Sequence, residues 1–147
     1  MLLTNHLTLI YLFGMIADTK VFLLQSSSTN ESRPYGIDQV KALSVSDEFV
    51  NNRKVCIIDS GYDANHEDLP SFTTGSSITG TSGGAGPWDK DVNGHGTHVA
   101  GSICAVGDNG KGVVGVNRNG ELKLHIVRVF DDEGEWTWTS TLVKAVS

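Results

Sequence analysis

The 147-residue chain has a hydrophobic content of 39%, 17 glycines and a formal net charge of −6 at pH 7, which fits one packed domain rather than a disordered tail. The negative charge and the lack of a Lys/Arg-rich run argue against a nucleic-acid-binding protein. The two cysteines, Cys56 and Cys104, have no C-x-x-C spacing, so we expect two buried thiols rather than a disulfide framework or a thiolate zinc site.

Residues 1–30 are predicted to form a leader or signal-like segment followed by a polar linker. The apolar run Leu7–Ala17 has about the length of the hydrophobic region of a signal peptide, which favours a secreted, extracellular protein. A packed N-terminal segment is the alternative, because no Lys or Arg precedes the run. Asp18 and Lys20 interrupt it before it reaches the roughly 18 residues of a membrane-spanning helix, so no stable membrane span is predicted.

A buried strand is predicted over Val55–Asp59, after short helices over Asp38–Leu43 and Ser46–Val50. Its four consecutive apolar residues favour a strand that is covered on both faces, as in parallel sheets. Asp59 then ends the strand. Because an unpaired aspartate is costly to bury, its position at the carboxyl end of the strand predicts a site at that edge of the sheet.

A helix is predicted within Gly94–Val106, where Gly101 is expected to allow a close backbone approach to the sheet. Glu121–Phe130 is a second predicted strand. The order strand, helix, strand indicates an α/β fold with a parallel sheet. The long segment between Asp59 and His95 also predicts a short edge strand near Ser71–Ile78, because structureless loops of that length are uncommon.

His95 lies between Gly94 and Gly96 at the predicted start of the helix. Small neighbours leave room for a substrate and a nucleophile to reach the imidazole, which suits a general base. Because the positive end of the helix dipole disfavours imidazolium, a carboxylate would be needed to orient and stabilise the ring, and Asp59 is the candidate. The alternative is a histidine that caps its own helix.

Three motifs together resemble the subtilisin-like serine proteases: D-S-G at Asp59–Gly61, H-E-D-L at His66–Leu69 and G-H-G-T-H-V-A-G at Gly94–Gly101. Further segments extend the similarity: Pro34–Ala42, Gly112–Val116 and Val127–Phe130. The resemblance implies that residues 31–147 are the N-terminal portion of a subtilisin-like peptidase domain. It implies a parallel sheet with helices on both faces, present here as an incomplete N-terminal half.

The resemblance also implies a serine-type endopeptidase that acts on protein or peptide substrates through an Asp-His-Ser triad. Asp59 would orient the imidazole and His95 would be the general base. The family's nucleophile motif, G-T-S-M-A-x-P, does not occur in these 147 residues, so the fragment alone is predicted to be inactive. Ser82 follows Gly80-Thr81 as in that motif, but it precedes His95 in a glycine-rich stretch and is rejected as the nucleophile.

Two other functions are considered. One is a non-catalytic half-domain that binds or complements another chain. The other is a metal hydrolase that uses Asp59, His95 and His98. The spacing of the two histidines is i, i+3 rather than the i, i+4 of H-E-x-x-H zinc hydrolases, so His98 is predicted to pack against the sheet.

Calcium is the cofactor that the resemblance implies, with Asp68 and Asp108 as candidate ligands. Asn109 is an alternative to Asp108, and Glu31 stands where relatives often have a glutamine ligand. A solvated Asp/Asn turn is the non-metal interpretation. Three residues are implied as substrate-binding: Phe130, Gly134 and Trp138. For Trp138 and its neighbour Trp136 ordinary packing is an equal alternative.

Overall fold

The structure is a computed structural model that describes residues 8–9, 31–78, 85–132 and 137–147. Most of the predicted leader and linker, the Gly80-Thr81-Ser82 motif, Gly134 and Trp136 lie outside the described residues. The described residues form, in chain order, β1 (Thr8–Leu9), α1 (Tyr35–Gln39), β2 (Lys54–Asp59), β3 (Thr73–Ser77), α2 (His95–Cys104), β4 (Lys123–Arg128) and α3 (Thr139–Val146).

The strands form one parallel sheet in the order β1-β2-β4-β3. β2 pairs with β4 along its whole length, so that Asp59 lies opposite Arg128 at the carboxyl ends of the two strands. β3 pairs with the other side of β4 and brings Ser77 opposite the same Arg128. The carboxyl ends of three strands therefore meet at one edge, where open parallel sheets usually hold their sites.

Side chains pack on both faces of this sheet, because successive residues of a strand point to opposite sides. The larger cluster includes residues of α2 and consists of Ile57, Tyr62, Ala100, Cys104, Leu122, Leu124 and Ile126. On the other face lie Cys56, Val127 and Val129, against which Leu142 and Ala145 of α3 pack. The predicted α/β fold is confirmed, and both thiols are buried and free as expected.

The predicted strands are present with slightly different ends. Val55–Asp59 begins one residue earlier, at Lys54, and Glu121–Phe130 is shorter, at Lys123–Arg128. The edge strand expected near Ser71–Ile78 is β3. α3 has no counterpart among the predicted elements.

The two predicted short helices are wrong in detail. α1 ends at Gln39 because Lys41 adopts a left-handed φ of +55°, and a 3-10 turn over Ala42–Ser44 follows. Ser46–Val50 is not a helix. The Ser46 hydroxyl accepts a hydrogen bond from the Glu48 N–H, which is a local side-chain contact that competes with helix formation.

Helix α2 presents one narrow face to the sheet. Its buried residues are Gly96, Ala100 and Cys104, which recur every four positions. His98 lies off this face and is exposed, so the prediction that it packs against the sheet is wrong. The expected close approach at Gly101 is also wrong, because a Cβ there would meet no atom within 4 Å. Within the described part of the chain, none of the helices has the length and hydropathy that crossing a membrane requires.

Candidate active site

Asp59 ends β2 at the carboxyl edge of the sheet, and its side chain is 13% exposed. The Ser60 N–H donates to Asp59 Oδ1 at 2.7 Å, and the Asp59 carbonyl accepts from the Val129 N–H at 2.9 Å. These bonds hold the carboxylate in place. They leave it able to bind another donor, because each carboxylate oxygen accepts more than one hydrogen bond.

His95 is the first residue of α2, and its Nδ1 lies 2.8 Å from Asp59 Oδ1 and 3.0 Å from Asp59 Oδ2. The predicted contact between the two side chains is therefore present. His95 does not cap its own helix, because Gly94 occupies the N-cap position. The His95 side chain is 66% exposed, so its second ring nitrogen, Nε2, is left for another partner.

The two glycines beside His95 have different roles. Gly94 has a φ of +85°, and a Cβ there would meet no atom within 4 Å, so it borders open space. A Cβ on Gly96 would lie 2.2 Å from the Gly61 carbonyl oxygen and 3.2 Å from Asp59 Cβ. Gly96 thus allows α2 to pack directly on the end of β2, which corrects the expectation that both glycines provide access to the ring.

Asp91 is a residue of this site that the sequence analysis missed. Its Oδ1 accepts from the Gly94 N–H at 3.0 Å and from Ser60 Oγ at 2.8 Å. Its Oδ2 accepts from the Thr97 N–H at 2.8 Å and from Thr97 Oγ1 at 2.6 Å. Burial by itself raises the pKa of Asp91, but the hydrogen bonds from Thr97, Ser60 and Gly94 outweigh burial and hold the pKa below its ordinary value. The available signal was an aspartate just before a predicted helix start.

Arg128 is a second residue that the sequence analysis did not single out, although a cation within an apolar strand was a usable signal. It is 1% exposed. Its guanidinium donates to the carbonyl oxygens of Lys90 at 2.6 Å, Phe130 at 3.0 Å and Pro87 at 3.1 Å, and to Asp132 Oδ1 at 2.5 Å. These bonds tie the loop before α2 to the end of β4.

Asp68, a candidate calcium ligand, is 2% exposed. Its Oδ1 accepts from Asn109 Nδ2 at 2.7 Å, and its Oδ2 accepts from the Val113 N–H at 2.9 Å. A Cβ on Gly112 would lie 2.2 Å from Oδ2, so the loop folds tightly around this carboxylate. Glu31 reaches the same loop and accepts from the Asn109 N–H at 3.3 Å.

Asp108, the second candidate ligand, is exposed and has a φ of +61°. It contacts Glu31 through its backbone, because its N–H donates to Glu31 Oε2 at 3.1 Å. The side chain that reaches Asp68 is that of Asn109. Among the residues that the structure describes, no group of three or more His, Cys, Asp or Glu side chains is arranged to hold a metal ion.

Two of the three implied substrate-binding residues follow β4 in the described chain, and Gly134 lies outside it. Phe130 is half-buried and packs against the cluster under α3. Trp138 is 57% exposed and stands at the N-cap of α3, where its carbonyl accepts from the Thr141 N–H at 2.9 Å.

Known proteins show similarity over most of this chain. The model of the subtilase family matches residues 51–146. Subtilisin DY of Bacillus licheniformis is 39% identical over 109 residues, which are 73% of this chain and 37% of that protein. An intracellular serine protease of Paenibacillus polymyxa is 36% identical over 116 residues, which are 78% of this chain and 35% of that protein.

Among solved structures, the psychrophilic subtilisin-like protease Apa1 of Pseudoalteromonas sp. AS-11 superposes with a TM-score of 0.67 at 45% identity. The match covers 79% of this chain and 26% of that one. The chain therefore spans between 26% and 37% of the length of these three relatives.

Proposed function

The chain belongs to the subtilase family, and we propose that it supplies the aspartate and histidine of the Asp-His-Ser triad of a serine-type endopeptidase. The observation that carries this proposal is the 2.8 Å contact between His95 Nδ1 and Asp59 Oδ1 at the carboxyl edge of a parallel sheet. An exposed imidazole held by a mostly buried carboxylate is what a general base of this type requires.

In the proposed mechanism, the Nδ1–H of His95 donates to Asp59, which selects the tautomer with an unprotonated Nε2. Nε2 accepts the proton of a serine hydroxyl as the serine oxygen attacks a peptide carbonyl, and the resulting imidazolium later protonates the leaving amine. Asp59 stabilises that imidazolium, which the positive end of α2 alone would disfavour.

The serine and the oxyanion-hole donor would come from the part of the subtilase domain that this chain does not span. We therefore propose that these 147 residues alone do not hydrolyse peptides. In subtilisin, loss of the triad serine is known to lower kcat by about 10⁶-fold. The check is a casein assay beside a full-length relative, and clear turnover that survives Ser82→Ala would contradict the proposed inactivity.

The triad roles are tested in a chimaera in which residues 51–146 of this chain replace the matching segment of Subtilisin DY. We expect the chimaera to cleave a peptide anilide, and Asp59→Asn to lower kcat by about 10⁴-fold. Asp89→Asn is the matched control, because Asp89 is an exposed aspartate within the same segment. A folded but inactive chimaera, or unchanged kcat in Asp59→Asn, would contradict the proposal and favour the non-catalytic half-domain.

Protein or peptide substrates are proposed to lie along the end of β4, in contact with Phe130, Gly134 and Trp138. Support comes from the position of Phe130 two residues after Arg128, whose strand partner at the sheet edge is Asp59. Because β4 is paired on both sides, an extended peptide would contact the residues that follow its carboxyl end. Alanine at Phe130 or Trp138 in the chimaera should raise KM more than it lowers kcat.

We propose calcium as a structural cofactor at Asp68, with Glu31 and either Asp108 or Asn109 as further ligands. The residues fit such an ion, because Asp68 is buried with neutral hydrogen-bond partners and Glu31 directs a second carboxylate to the same loop. Oxygen donors of this kind are the ligands that Ca²⁺ prefers. A bound ion would neutralise the negative charge of both carboxylates and would hold Glu31 against loop 106–112.

Secretion is also proposed, and its support is the signal-like apolar run Leu7–Ala17. The similar proteins include one named as an intracellular serine protease, so family membership does not decide the location. Fractionation of cells that express the chain tests this proposal, and retention of the whole pool inside the cells would contradict it.

A further inference from the structure

The carboxylate of Asp91 binds residues that neighbour Asp59 and His95 in the chain. On the helix side, its bonds to the Gly94 N–H and to the N–H and hydroxyl of Thr97 bracket His95 in the chain. The first N–H groups of a helix have no partner within it. Asp91 supplies that partner and so restrains the backbone that carries the imidazole.

On the strand side, Asp91 reaches Ser60, which directly follows Asp59. The Ser60 hydroxyl donates to Asp91 Oδ1 at 2.8 Å and accepts from the Gly96 N–H at 3.0 Å. Ser60 is 2% exposed, so these bonds are shielded from water. The Ser60 N–H in turn donates to Asp59 Oδ1. One carboxylate therefore connects the residue after Asp59 with the residues around His95.

The main chain at Asp91 is itself attached to the sheet. The carbonyl of Lys90, the preceding residue, accepts a 2.6 Å hydrogen bond from the buried Arg128. The same carbonyl oxygen would lie 2.4 Å from a Cβ on Gly61, so the turn that follows β2 also approaches it closely. The residue before Asp91 is thus held by β4 and packed against the turn after β2.

We propose that Asp91 is a positioning residue that holds the His95 imidazole against Asp59. Because the His95 side chain is 66% exposed, packing restrains it little, and its direction depends on its own backbone and on the bond to Asp59. Asp91 also places a negative charge at the N-terminal end of α2, where it offsets the helix dipole. The inference rests on the proposed function only for the catalytic use of the pair, since the contact itself can be observed without catalysis.

The test is proton NMR of the 147-residue chain with ¹⁵N-labelled histidine. A proton on His95 Nδ1 that is hydrogen-bonded to a carboxylate gives a strongly downfield resonance, which is assigned by its absence in His95→Ala. We expect Asp91→Asn to lose this resonance, because an amide NH₂ donates where the carboxylate oxygen accepts two bonds. Asp47→Asn, an equal change at an aspartate that binds the Arg118 N–H, should keep it.

A second pair of variants covers the case in which Asp91→Asn does not fold. Thr97→Val removes the hydroxyl that donates to Asp91 and accepts from the Asp63 N–H, whereas Thr97→Ser keeps it. We expect a weaker resonance in Thr97→Val and an intact one in Thr97→Ser. If Asp91→Asn folds, a resonance as strong as that of Asp47→Asn would overturn the inference. If Asp91→Asn does not fold, equal resonances in Thr97→Val and Thr97→Ser would overturn it.

Failure of this inference can be distinguished from failure of the proposed function. If the Subtilisin DY chimaera is inactive but the resonance depends on Asp91, the positioning role stands and the proposed endopeptidase function does not. If the chimaera is active and Asp91→Asn leaves both the resonance and kcat unchanged, the proposed endopeptidase function stands and the positioning role does not. In an active chimaera, the positioning role predicts a fall in kcat with little change in KM.

Discussion

Helix α2 begins beside one aspartate and is followed by a loop that binds another, and both carboxylates accept backbone hydrogen bonds, yet their surroundings differ. Before the helix, Asp91 binds the N–H groups of Gly94 and Thr97, and we call this region the His95 end. After the helix, Asp68 binds the Val113 N–H through its side chain and the Val106 N–H through its carbonyl, and we call this region the Asp68 end.

The difference between the two ends lies in what else the carboxylates meet. At the His95 end, a second carboxylate, Asp59, bonds an exposed imidazole, which can exchange a proton with a reactant. At the Asp68 end, the second carboxylate is Glu31, and the hydrogen-bond partners of Asp68 are neutral. Under the functions proposed above, similar local chemistry would serve proton transfer at one end and binding of a cation at the other.

The largest expected effect is the loss of activity on removing the imidazole from the His95 end. In the Subtilisin DY chimaera, His95→Ala should lower kcat by about 10⁶-fold, because the general base is lost. His98→Ala, a change at an exposed histidine on the same helix, should leave kcat within about twofold, as expected of a surface substitution. Similar kcat values for the two variants would remove the distinction between the His95 end and the rest of α2.

A single methyl group added at Gly96 should disrupt the packing of α2 at the His95 end. Gly96→Ala places a Cβ 2.2 Å from the Gly61 carbonyl oxygen, so α2 must move away from β2. We expect the free energy of unfolding, measured with urea, to fall by about 3 kcal/mol. Gly101→Ala on the same helix meets open space and should raise it by about 0.5–1 kcal/mol. Equal effects of the two substitutions would contradict the packing described for α2.

Calcium should stabilise the protein through the Asp68 end. At about 100 times its dissociation constant, a single bound ion adds about 2.7 kcal/mol to the free energy of unfolding, seen as a rise in Tm. Asp68→Asn should abolish the rise. Glu67→Gln is the control, since Glu67 is an exposed neighbour that pairs with Lys111. A rise in Tm that persists in Asp68→Asn would place the ion elsewhere.

The smallest effect expected is a pH dependence at the His95 end. The pKa of Asp91 is lower in the folded chain than in the unfolded chain, where it is about 3.9. The ionised carboxylate therefore stabilises the fold above the unfolded pKa. This contribution is lost as the pH falls through the folded pKa. The stability advantage of the wild type over Asp91→Asn should therefore shrink from pH 6 to pH 3 in urea unfolding. A constant difference across that range would contradict this assignment.

Much of the site could be predicted because its main residues stand beside strong local patterns. Asp59 ends an apolar run and His95 opens a small-residue helix, and parallel strands bring such ends to one edge. The roles of Asp91 and Arg128 could not be predicted in this way. Asp91 meets Ser60 across 31 positions and Arg128 meets Lys90 across 38 positions, so neither bond has a local signature.

The sequence by itself determined the central strands, helix α2, and the residue types of the pair that meets at their ends, because hydrophobic periodicity and glycine placement act over a few residues. The tertiary structure decided which glycine of α2 touches β2, which face of the helix is buried, and which aspartate fixes its first turn. Those outcomes depend on the distance between segments that are remote in the chain, and packing in three dimensions sets that distance.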